Sequence, residues 1–395
     1  MLTQRQLFLQ HQAQTSNLPL SLEIVKAEHI YLFDNDGKRY MDLISGIAVS
    51  NLGHRHPKVV DAIKHQLDQY MHLMVYGEFI QTPQVQLAKL LADNLPAQLS
   101  CSFFVNSGSE AVEGALKLAK RFTGRTEIIS FVNGYHGSSH GALSVMGNEY
   151  FKNAYRPLLP DIRFIEYNNM DDLKYVTDKT ACVLIETIQG EAGVIVPDAI
   201  YMSRLSDQCK ESGTLLIADE IQTGFGRTGK LFAFSGFNII PDIITIGKGM
   251  GGGMPIGAFI SSKEIMSSFT NNPALGHITT FGGHPVSCAA AIATLKVLLE
   301  EQLINDVLGK EKLFRQLLVH PKIKSLRGKG LLLCVEFEYK EFNFKVIEQC
   351  IKNGLITDWF LFCDHCMRLA PPLTINKTEI ETASSIILQS IAEAC

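Results

Sequence analysis

The sequence predicts an α/β fold in which helices cover both faces of a mostly parallel sheet. Seven short apolar runs bounded by turn residues lie between positions 100 and 260. Runs of this length are typical of buried parallel strands. Helical patterns separate the runs, and this alternation indicates parallel strands joined by crossover helices. The chain has 395 residues, 46% of them hydrophobic, which is enough for such a large domain and a second, smaller one.

The pattern along the chain indicates three segments. Residues 1–55 hold a hairpin-like stretch and are expected to contribute to the small domain. The large domain should occupy residues 56–290 and contain the sheet. An apolar helix near 285–299 leads into the last segment, residues 291–395, where helices and strands alternate as in a small α+β domain. Thr82 and Pro83 are expected to open a helix, with Thr82 as its cap.

Charge and hydropathy narrow the class of protein. The net charge is −4 and the sequence pI is about 6.3, which favours neither nucleic acid nor an anionic membrane as a partner. The first residues are polar, so no signal peptide is expected. No apolar run approaches the roughly 18 residues of a spanning helix. We therefore expect a cytoplasmic protein.

Two of the predicted strands end at residues suited to chemistry. The run Leu215–Ala218 leads to Asp219, and the run Ile243–Ile246 leads to Lys248 in a glycine-rich setting. Ligands of open α/β sheets bind beyond the carboxyl ends of the strands. A carboxylate and an amine placed there can hold a pyridoxal phosphate ring between them. The lysine forms a Schiff base, and the aspartate pairs with the pyridinium nitrogen.

A third strand, Cys101–Val105, is followed by a serine- and glycine-rich turn and then a helix. The free N–H groups and positive dipole end of such a helix form an anion site. Gly108 lets the backbone approach a phosphate, and Ser109 adds a hydroxyl. An ordinary capped helix is the alternative, because serine and glycine are common at helix starts.

These motifs together resemble the class III pyridoxal-phosphate aminotransferases of the ornithine and acetylornithine type. The stretches that carry the resemblance are ADEIQTGFGRTGK from Ala218, PDIITIGKGMGGGMPIGA from Pro241 and NSGSE from Asn106. The similarity covers residues from about 20 to 390. It implies the fold type I of pyridoxal 5′-phosphate (PLP) enzymes, with a PLP-binding large domain and a ping-pong transfer of an amino group to an oxo acid.

The resemblance also implies roles for individual residues. Lys248 forms the Schiff base with PLP and shuttles a proton, while Asp219 keeps the pyridine nitrogen protonated. Tyr135 stacks on the ring. Further cofactor contacts are implied for Ser107, Gly108, Ser109, His136, Glu186, Gln222 and Thr280. Thr280 is implied to reach the cofactor of a neighbouring subunit, so a homodimer is expected.

The same resemblance implies which residues bind the substrate. Glu191 is implied to pair with Arg368, which binds an α-carboxylate, and the pair switches between substrates with and without a second carboxylate. Ile47, which matches the acetylornithine-type pattern, and Thr279 complete the candidate substrate-binding set. Ser138 departs from the family, which usually has arginine there. A serine cannot form a two-point contact with a carboxylate.

Several functions therefore stay open. The leading prediction is transfer of the terminal amino group of ornithine or N-acetylornithine. Alternatives are another ω-amino donor of the 4-aminobutyrate, lysine or diaminopelargonate type, or an aminomutase, racemase or decarboxylase on the same fold. A non-enzymatic protein agrees poorly with the joint presence of Lys248, Asp219 and Gln222. Nucleotide binding is disfavoured because Gly247–Gly253 has no dinucleotide or Walker pattern.

Some of the cysteines and histidines are candidate metal ligands. The motif Cys363-Asp-His-Cys366 is half of a zinc site or a redox dithiol by spacing. No second pair in the sequence completes a zinc site, so we interpret the nine cysteines as structural and expect no metal. His54 and His56 are also interpreted as structural. His284, where the family usually has asparagine, has no explanation from sequence.

Overall fold

The computed structural model describes residues 2–395 and arranges their strands in three sheets. Helix α1 (Gln4–His11) precedes the antiparallel strands β1 (Ile24–Glu28), β2 (Tyr31–Asp34) and β3 (Arg39–Asp42). A short strand from the C-terminal part of the chain, Leu355–Ile356, pairs in parallel with β3. The first and last segments of the chain thus share one four-stranded sheet.

Three helical segments connect this sheet to the large domain: α2 (Ser45–Ala48), α3 (Pro57–Gln69) and α4 (Thr82–Ala92). The α2 segment is a left-handed turn, because Ile47 and its neighbours have positive φ angles. The prediction that Thr82 caps α4 was wrong. Gln81 occupies the cap position and makes no side-chain cap bond.

The large domain is built on the predicted seven-stranded, mostly parallel sheet, which confirms the fold class. Its strands are β4 (Cys101–Val105), β5 (Glu127–Phe131), β6 (Ile162–Ile165), β7 (Thr180–Glu186), β8 (Leu215–Asp219), β9 (Ile243–Ile246) and β10 (Gly257–Ser261). The spatial order is β4-β10-β9-β8-β7-β5-β6. Only β10 runs antiparallel to its neighbours. Every residue of β7 and β8 is buried, as expected of central strands covered on both faces.

Six helices in the described part of the chain accompany this sheet, and two of them, Gly108–Thr123 and Ala199–Ser212, pack directly on its strands. They are α5 (Gly108–Thr123), α6 (His140–Ser144), α7 (Glu149–Lys152), α8 (Ala199–Ser212), α9 (Lys263–Met266) and α10 (Pro285–Glu300). Helix α8 begins where the Asp198 carboxylate accepts from Ile200 N at 2.7 Å, and it ends at Gly213, whose φ is 65°. His284 caps α10 in a similar way, since its Nδ1 atom accepts from Val286 N at 3.3 Å.

The C-terminal part forms a smaller α+β unit with its own four-stranded sheet. Its elements are α11 (Val307–Leu317), β11 (Ser325–Lys329), β12 (Leu332–Glu336), α12 (Lys340–Lys352), β13 (Leu355–Ile356), β14 (Trp359–Phe360), β15 (Cys363–Leu369) and α13 (Lys377–Ala394). The apolar stretch near 355–361 is typical of one strand, but it forms two. β13 joins the N-terminal sheet and β14 joins β15, because the chain crosses between sheets at Thr357 and Asp358. Within residues 2–395, no helix combines the length and apolar character needed to cross a membrane.

Candidate active site

The carboxyl ends of the central strands meet at one cavity of about 320 Å³. Glu186 at the end of β7 lies opposite Asp219 at the end of β8, and Asp219 lies opposite Thr245 of β9. Lys248 follows β9 at the same edge. The residues that line the cavity are Gly108, Ser109, Tyr135, His136, Gly137, Ser138, Glu186, Ile188, Glu191, Asp219, Ile221, Gln222, Thr223 and Lys248. The volume is within the range of small-molecule sites.

Asp219 is held in a fixed orientation at the floor of the cavity. Its Oδ2 atom lies 2.7 Å from His136 Nδ1, and its Oδ1 atom accepts from Ile221 N at 3.0 Å. Both Asp219 and His136 are buried. Such a carboxylate can keep a proton on a basic nitrogen that enters the cavity.

Glu186 joins two loops beside Asp219. Its carboxylate accepts from Tyr135 N at 3.0 Å and from Gly190 N at 3.1 Å. Burial raises the pKa of Glu186 to about 7. The Asp219 charge acts in the same direction, while His136 and the two N–H donors oppose the shift. Near neutral pH this group therefore exchanges a proton more readily than an ordinary glutamate.

Lys248 begins a turn of 3₁₀ helix, Lys248–Gly251, with φ at 43°. A non-glycine residue in this left-handed region is uncommon, and such residues cluster at functional sites. Burial lowers the pKa of the Lys248 amine, although Glu191 opposes this effect. The amine is therefore more often neutral, and hence nucleophilic, than an exposed lysine.

The start of α5 provides the predicted anion site. Ser107 is its cap residue, and its hydroxyl accepts from Glu110 N at 3.2 Å. A side chain at Gly108 would come within 2.8 Å of Ile221 Cδ1, and Gly247 packs against Gly108 from the other side. The absence of side chains keeps the helix N-terminus open to a phosphate.

A hydrogen-bonded chain that the sequence did not reveal supports Ser109. The Ser109 and Ser139 hydroxyl oxygens lie 2.6 Å apart, and Ser139 N donates to Ser109 Oγ at 3.1 Å. Ser139 Oγ in turn donates to Glu113 Oε1 at 2.7 Å. Gly137 approaches this chain so closely that a Cβ atom there would lie 2.4 Å from Ser109 Oγ. Ser139 and Glu113 thus fix the orientation of the Ser109 hydroxyl at the start of α5.

Arg368 and Glu191 form the predicted pair next to the cavity. The Nη1–Oε1 and Nη2–Oε2 distances are 2.8 and 2.9 Å, and both side chains are buried. Burial acts to raise the pKa of Glu191, but the charge and hydrogen bonds of Arg368, the Leu361 N–H and the Lys248 charge together lower that pKa. Asp358 was not foreseen as a partner. Its only sequence signal is an acid inside the apolar stretch from Leu355 to Phe360.

Two residues that line the cavity carry a polar atom with unused bonding capacity. Gln222 Oε1 is buried and accepts no hydrogen bond within residues 2–395, and the same holds for His136 Nε2. Tyr135 lies at the cavity wall, with its hydroxyl 3.4 Å from Ser138 Oγ. Ser138 is exposed at the mouth. A ligand with several polar atoms would satisfy these groups.

Five predicted site residues lie outside the cavity lining, namely Ile47, Ser107, Thr279, Thr280 and Arg368. Thr280 is exposed. Thr279 Oγ1 accepts from Asn106 Nδ2 at 3.3 Å, which ties its loop to the turn before α5. Ile47 is partly buried in the left-handed α2 turn. Arg368 contacts Glu191, which lines the cavity, and Ser107 directly precedes the lining residue Gly108. The remaining candidates line the cavity.

The cavity fits PLP in each of its parts. An open helix N-terminus at Gly108 suits the phosphate, Asp219 suits the pyridine nitrogen, and the unpaired Gln222 Oε1 suits a polar ring substituent. Lys248 supplies an amine with a lowered pKa at the same cavity.

Comparison with known proteins agrees with this geometry. The family described as Aminotransferase class-III matches residues 12–391. The chain belongs to this family and is a PLP-dependent aminotransferase, so it takes an amino donor and an oxo-acid acceptor.

Several members of the family are similar to this chain over almost its whole length. The chain is 39% identical over 378 residues to the acetylornithine aminotransferase of Methanopyrus kandleri, covering 94% of each chain. It is 40% identical over 377 residues to that of Bacillus subtilis, covering 94% of this chain and 95% of the relative. Among solved structures, the ornithine aminotransferase from Toxoplasma gondii superimposes with a TM-score of 0.92 at 29% identity, covering 98% of this chain and 93% of that one.

Proposed function

We propose that this aminotransferase removes the terminal amino group of N-acetylornithine, ornithine or a similar ω-amino acid. The observation that carries the proposal is the buried Glu191–Arg368 pair beside the Lys248 cavity. A donor of this kind presents an amine at one end and an α-carboxylate at the other. The relatives named acetylornithine aminotransferase support the choice of donor.

Lys248 and Asp219 perform the chemistry in this proposal. PLP, when bound, supplies an electron sink for the carbon that carries the amino group. The Lys248 amine would hold the cofactor covalently and, once released, would move the proton at that carbon. Asp219, oriented by His136, would keep the proton on the ring nitrogen. Gly108 and Ser109 would hold the phosphate, and Tyr135 would cover the ring.

Glu191 and Arg368 select between the two substrates of the cycle. While paired, the two side chains present little net charge, so the site accepts the uncharged arm of an ω-amino donor. When Glu191 moves away, the Arg368 guanidinium can bind a carboxylate at two points. An oxo-acid acceptor with a second carboxylate would be bound in this second state.

Ser138 affects how tightly the site can bind a dicarboxylate oxo-acid acceptor. None of the described residues that line the cavity is an arginine, and Arg368 lies behind Glu191. A dicarboxylate acceptor would need a second group that contacts its other carboxylate at two points, as an arginine does, and a serine cannot make this contact. We therefore infer that 2-oxoglutarate binds through Arg368 alone and more weakly than in an enzyme with arginine at this position.

The assembly is proposed to be a homodimer. Exposed apolar side chains, including Met71 and Ile80 in one segment and Leu275 and Phe281 in another, concentrate on two stretches that touch each other. The contact is made by Tyr76 N, which donates to Thr279 O at 3.2 Å. A connected apolar surface of this kind is typical of a subunit interface. It carries the exposed Thr280, in agreement with a role at the partner's cofactor.

A steady-state assay with each candidate donor tests the proposed reaction. We expect amino transfer from N-acetylornithine or ornithine to an oxo acid, with the parallel double-reciprocal lines of a ping-pong mechanism. A carboxyl group lost as CO₂, or an isomerised amino acid formed without any oxo acid, would support the decarboxylase or mutase alternatives instead.

Complementation between two inactive variants tests the shared site. A mixture of Lys248→Ala and Thr280→Ala chains forms heterodimers, each with one site made of an intact Lys248 and an intact Thr280. We expect activity to return after mixing under conditions that allow subunit exchange. A monomer by sedimentation, or no recovery in proven heterodimers, would rule out the shared site.

A further inference from the structure

The sulfur atoms of Cys363 and Cys366 lie 3.1 Å apart at the start of β15. Residues three apart in a regular strand point to opposite faces of the sheet. Here Cys363 pairs with Phe360 while Met367 pairs with Trp359, so three residues bulge out of the hairpin between β14 and β15. The bulge brings the two sulfurs together. Both cysteines are buried, with 8% of Cys363 and none of Cys366 exposed.

A fixed guanidinium faces both sulfurs. Arg327 Nη2 lies 3.5 Å from Cys363 Sγ and 3.4 Å from Cys366 Sγ. The Arg327 side chain is held by Gly193 O, which accepts from Nε at 2.6 Å, and by an ion pair with Glu336. Positive charge beside a sulfur stabilises its thiolate form and lowers the barrier to thiol chemistry.

A metal ion fits this cluster less well than a disulfide does. Cys363, His365 and Cys366 offer ligand atoms within 4.8 Å of one another, a set that could hold zinc. Two thiolates on one zinc, each about 2.3 Å from the metal, lie roughly 3.7 Å apart in tetrahedral geometry. The 3.1 Å separation is shorter, and the Arg327 charge would lie next to the cation.

We propose that Cys363 and Cys366 are a site of reversible modification, at which a peroxide converts the two thiols into an intramolecular disulfide. Cys363 is the more exposed sulfur and attacks first. Its thiolate breaks the O–O bond of hydrogen peroxide and forms a sulfenic acid, and the released hydroxide takes up a proton. The Cys366 sulfur then attacks the sulfenic sulfur, forming the S–S bond and expelling water. The peroxide is reduced to water, and a dithiol reductant reverses the change.

The surroundings of Cys363 favour its thiol form over the thiolate. The hydrogen bond to Cys366 and burial raise the pKa of the Cys363 thiol more than Arg327 lowers it. Because the thiolate is the reacting form, we expect the rate of oxidation to increase with pH.

The disulfide site is connected to the carboxylate-selecting pair. Leu361 N, in the same hairpin, donates to Glu191 Oε2 at 3.0 Å, and Phe362 N donates to Glu191 O at 3.1 Å. The loop that carries Glu191 also packs directly against Cys363. At Gly193, two residues after Glu191, an added Cβ atom would lie only 2.8 Å from Cys363 Sγ. An S–S bond of about 2.05 Å draws the sulfurs roughly 1 Å closer. The hairpin must shift, and its two N–H donors to Glu191 shift with it.

Peptide mapping of the full-length holoenzyme tests the modification without any activity measurement. The enzyme is treated with hydrogen peroxide, denatured with N-ethylmaleimide and digested with trypsin. Both cysteines lie on one tryptic peptide, Asn353–Arg368. We expect that peptide two hydrogen atoms lighter and free of maleimide, and restored to the two-thiol form by dithiothreitol. The exposed Cys395 and the partly exposed Cys101 serve as internal controls.

Two results would overturn the proposal. One is a peptide that carries two maleimide groups under conditions that already oxidise Cys395. The other is zinc that copurifies at one ion per chain and protects the two thiols until a chelator removes it, because the cluster would then be a metal site.

The link to Glu191 has its own test, which rests on the function proposed above. Oxidation should change KM for the acceptor 2-oxoglutarate several-fold with a smaller effect on kcat, because this acceptor is proposed to bind only after Glu191 leaves Arg368. Cys363→Ser should abolish the response, while Cys395→Ser should respond like the wild type. A disulfide that forms with KM unchanged would overturn the link alone. If no donor is turned over, the peptide masses still decide whether the modification occurs.

Discussion

Arg368 Nε donates to Asp358 Oδ1 across 2.9 Å, so the arginine that pairs with Glu191 has a second carboxylate behind it. This second contact does not depend on Glu191. When Glu191 leaves, Asp358 still fixes the plane of the guanidinium, and its two outer nitrogens stay aimed at the cavity. Burial raises the pKa of Asp358 to about 6 even though Arg368 opposes this shift. The orientation should therefore weaken as the pH falls below about 6.

Asp358→Asn should raise KM for 2-oxoglutarate, the acceptor proposed to bind through Arg368, by about tenfold, with a smaller change in kcat. The estimate follows from a charged hydrogen bond of roughly 1.5–3 kcal/mol that no longer orients Arg368. Steady-state kinetics of the variant measures both constants. Asp364→Asn, in the same part of the chain and half-exposed, is the matched control and should change neither. Equal losses of kcat and kcat/KM in Asp358→Asn would argue against a positioning role.

Lys248→Ala should lower kcat by at least about 10²-fold, because the proton shuttle and the covalent attachment are lost together. The purified variant should also lack the absorbance band of lysine-bound cofactor and release PLP on dialysis. Spectra and activity of the exposed Lys179→Ala variant provide the control. A full band in Lys248→Ala would show that another lysine holds the cofactor.

Ser138→Arg should lower KM for 2-oxoglutarate by about 10-fold or more. Ser138 is exposed at the mouth of the cavity, so a longer side chain can be accommodated there and can add a two-point carboxylate contact. The Ser138→Ala variant shows the effect of losing the hydroxyl without adding the new contact. Pyruvate has no second carboxylate, so its KM should not change in Ser138→Arg. An unchanged ratio of the two acceptors would mean that position 138 does not face the substrate.

Glu186→Gln should remove a pH dependence of stability from the cofactor-free enzyme. The folded-state pKa of about 7 lies above the ordinary 4.5, so the folded protein binds more protons than the unfolded chain between these values. The free energy of unfolding is therefore highest, as far as Glu186 is concerned, below pH 4.5, and it falls as the pH rises through about 7. The difference between the two pKa values corresponds to a loss of about 3 kcal/mol in this free energy. Urea unfolding at pH 5 and pH 8 should show the wild type losing more stability than the variant.

Much of this site could be predicted from the sequence because it depends on strand ends. Asp219, Glu186 and Lys248 each follow an apolar run that forms a strand of one sheet, and the ends of parallel strands lie at the same edge. Local pattern and topology were sufficient to bring them together. The glycine that opens the anion site, Gly108, was predictable for the same reason.

The features that were missed depend on contacts between distant segments. Ser139 reaches Glu113 only because α6 packs against α5. Asp358 reaches Arg368 only because the stretch near 355–361 divides between two sheets, which neither hydropathy nor turn residues indicated. The contact between Cys363 and Cys366 arises from a bulge, and a bulge leaves little trace in the spacing of apolar residues.

The half-reaction of the purified holoenzyme with single amines tests the central claim most directly. The enzyme is mixed with N-acetylornithine, ornithine, lysine, 4-aminobutyrate or diaminopelargonate in the absence of any oxo acid, and the absorbance of lysine-bound cofactor is followed. We predict that N-acetylornithine or ornithine abolishes this band and that an added oxo acid restores it. A band that is present and stays unchanged with every amine would contradict the proposed ω-amino transfer.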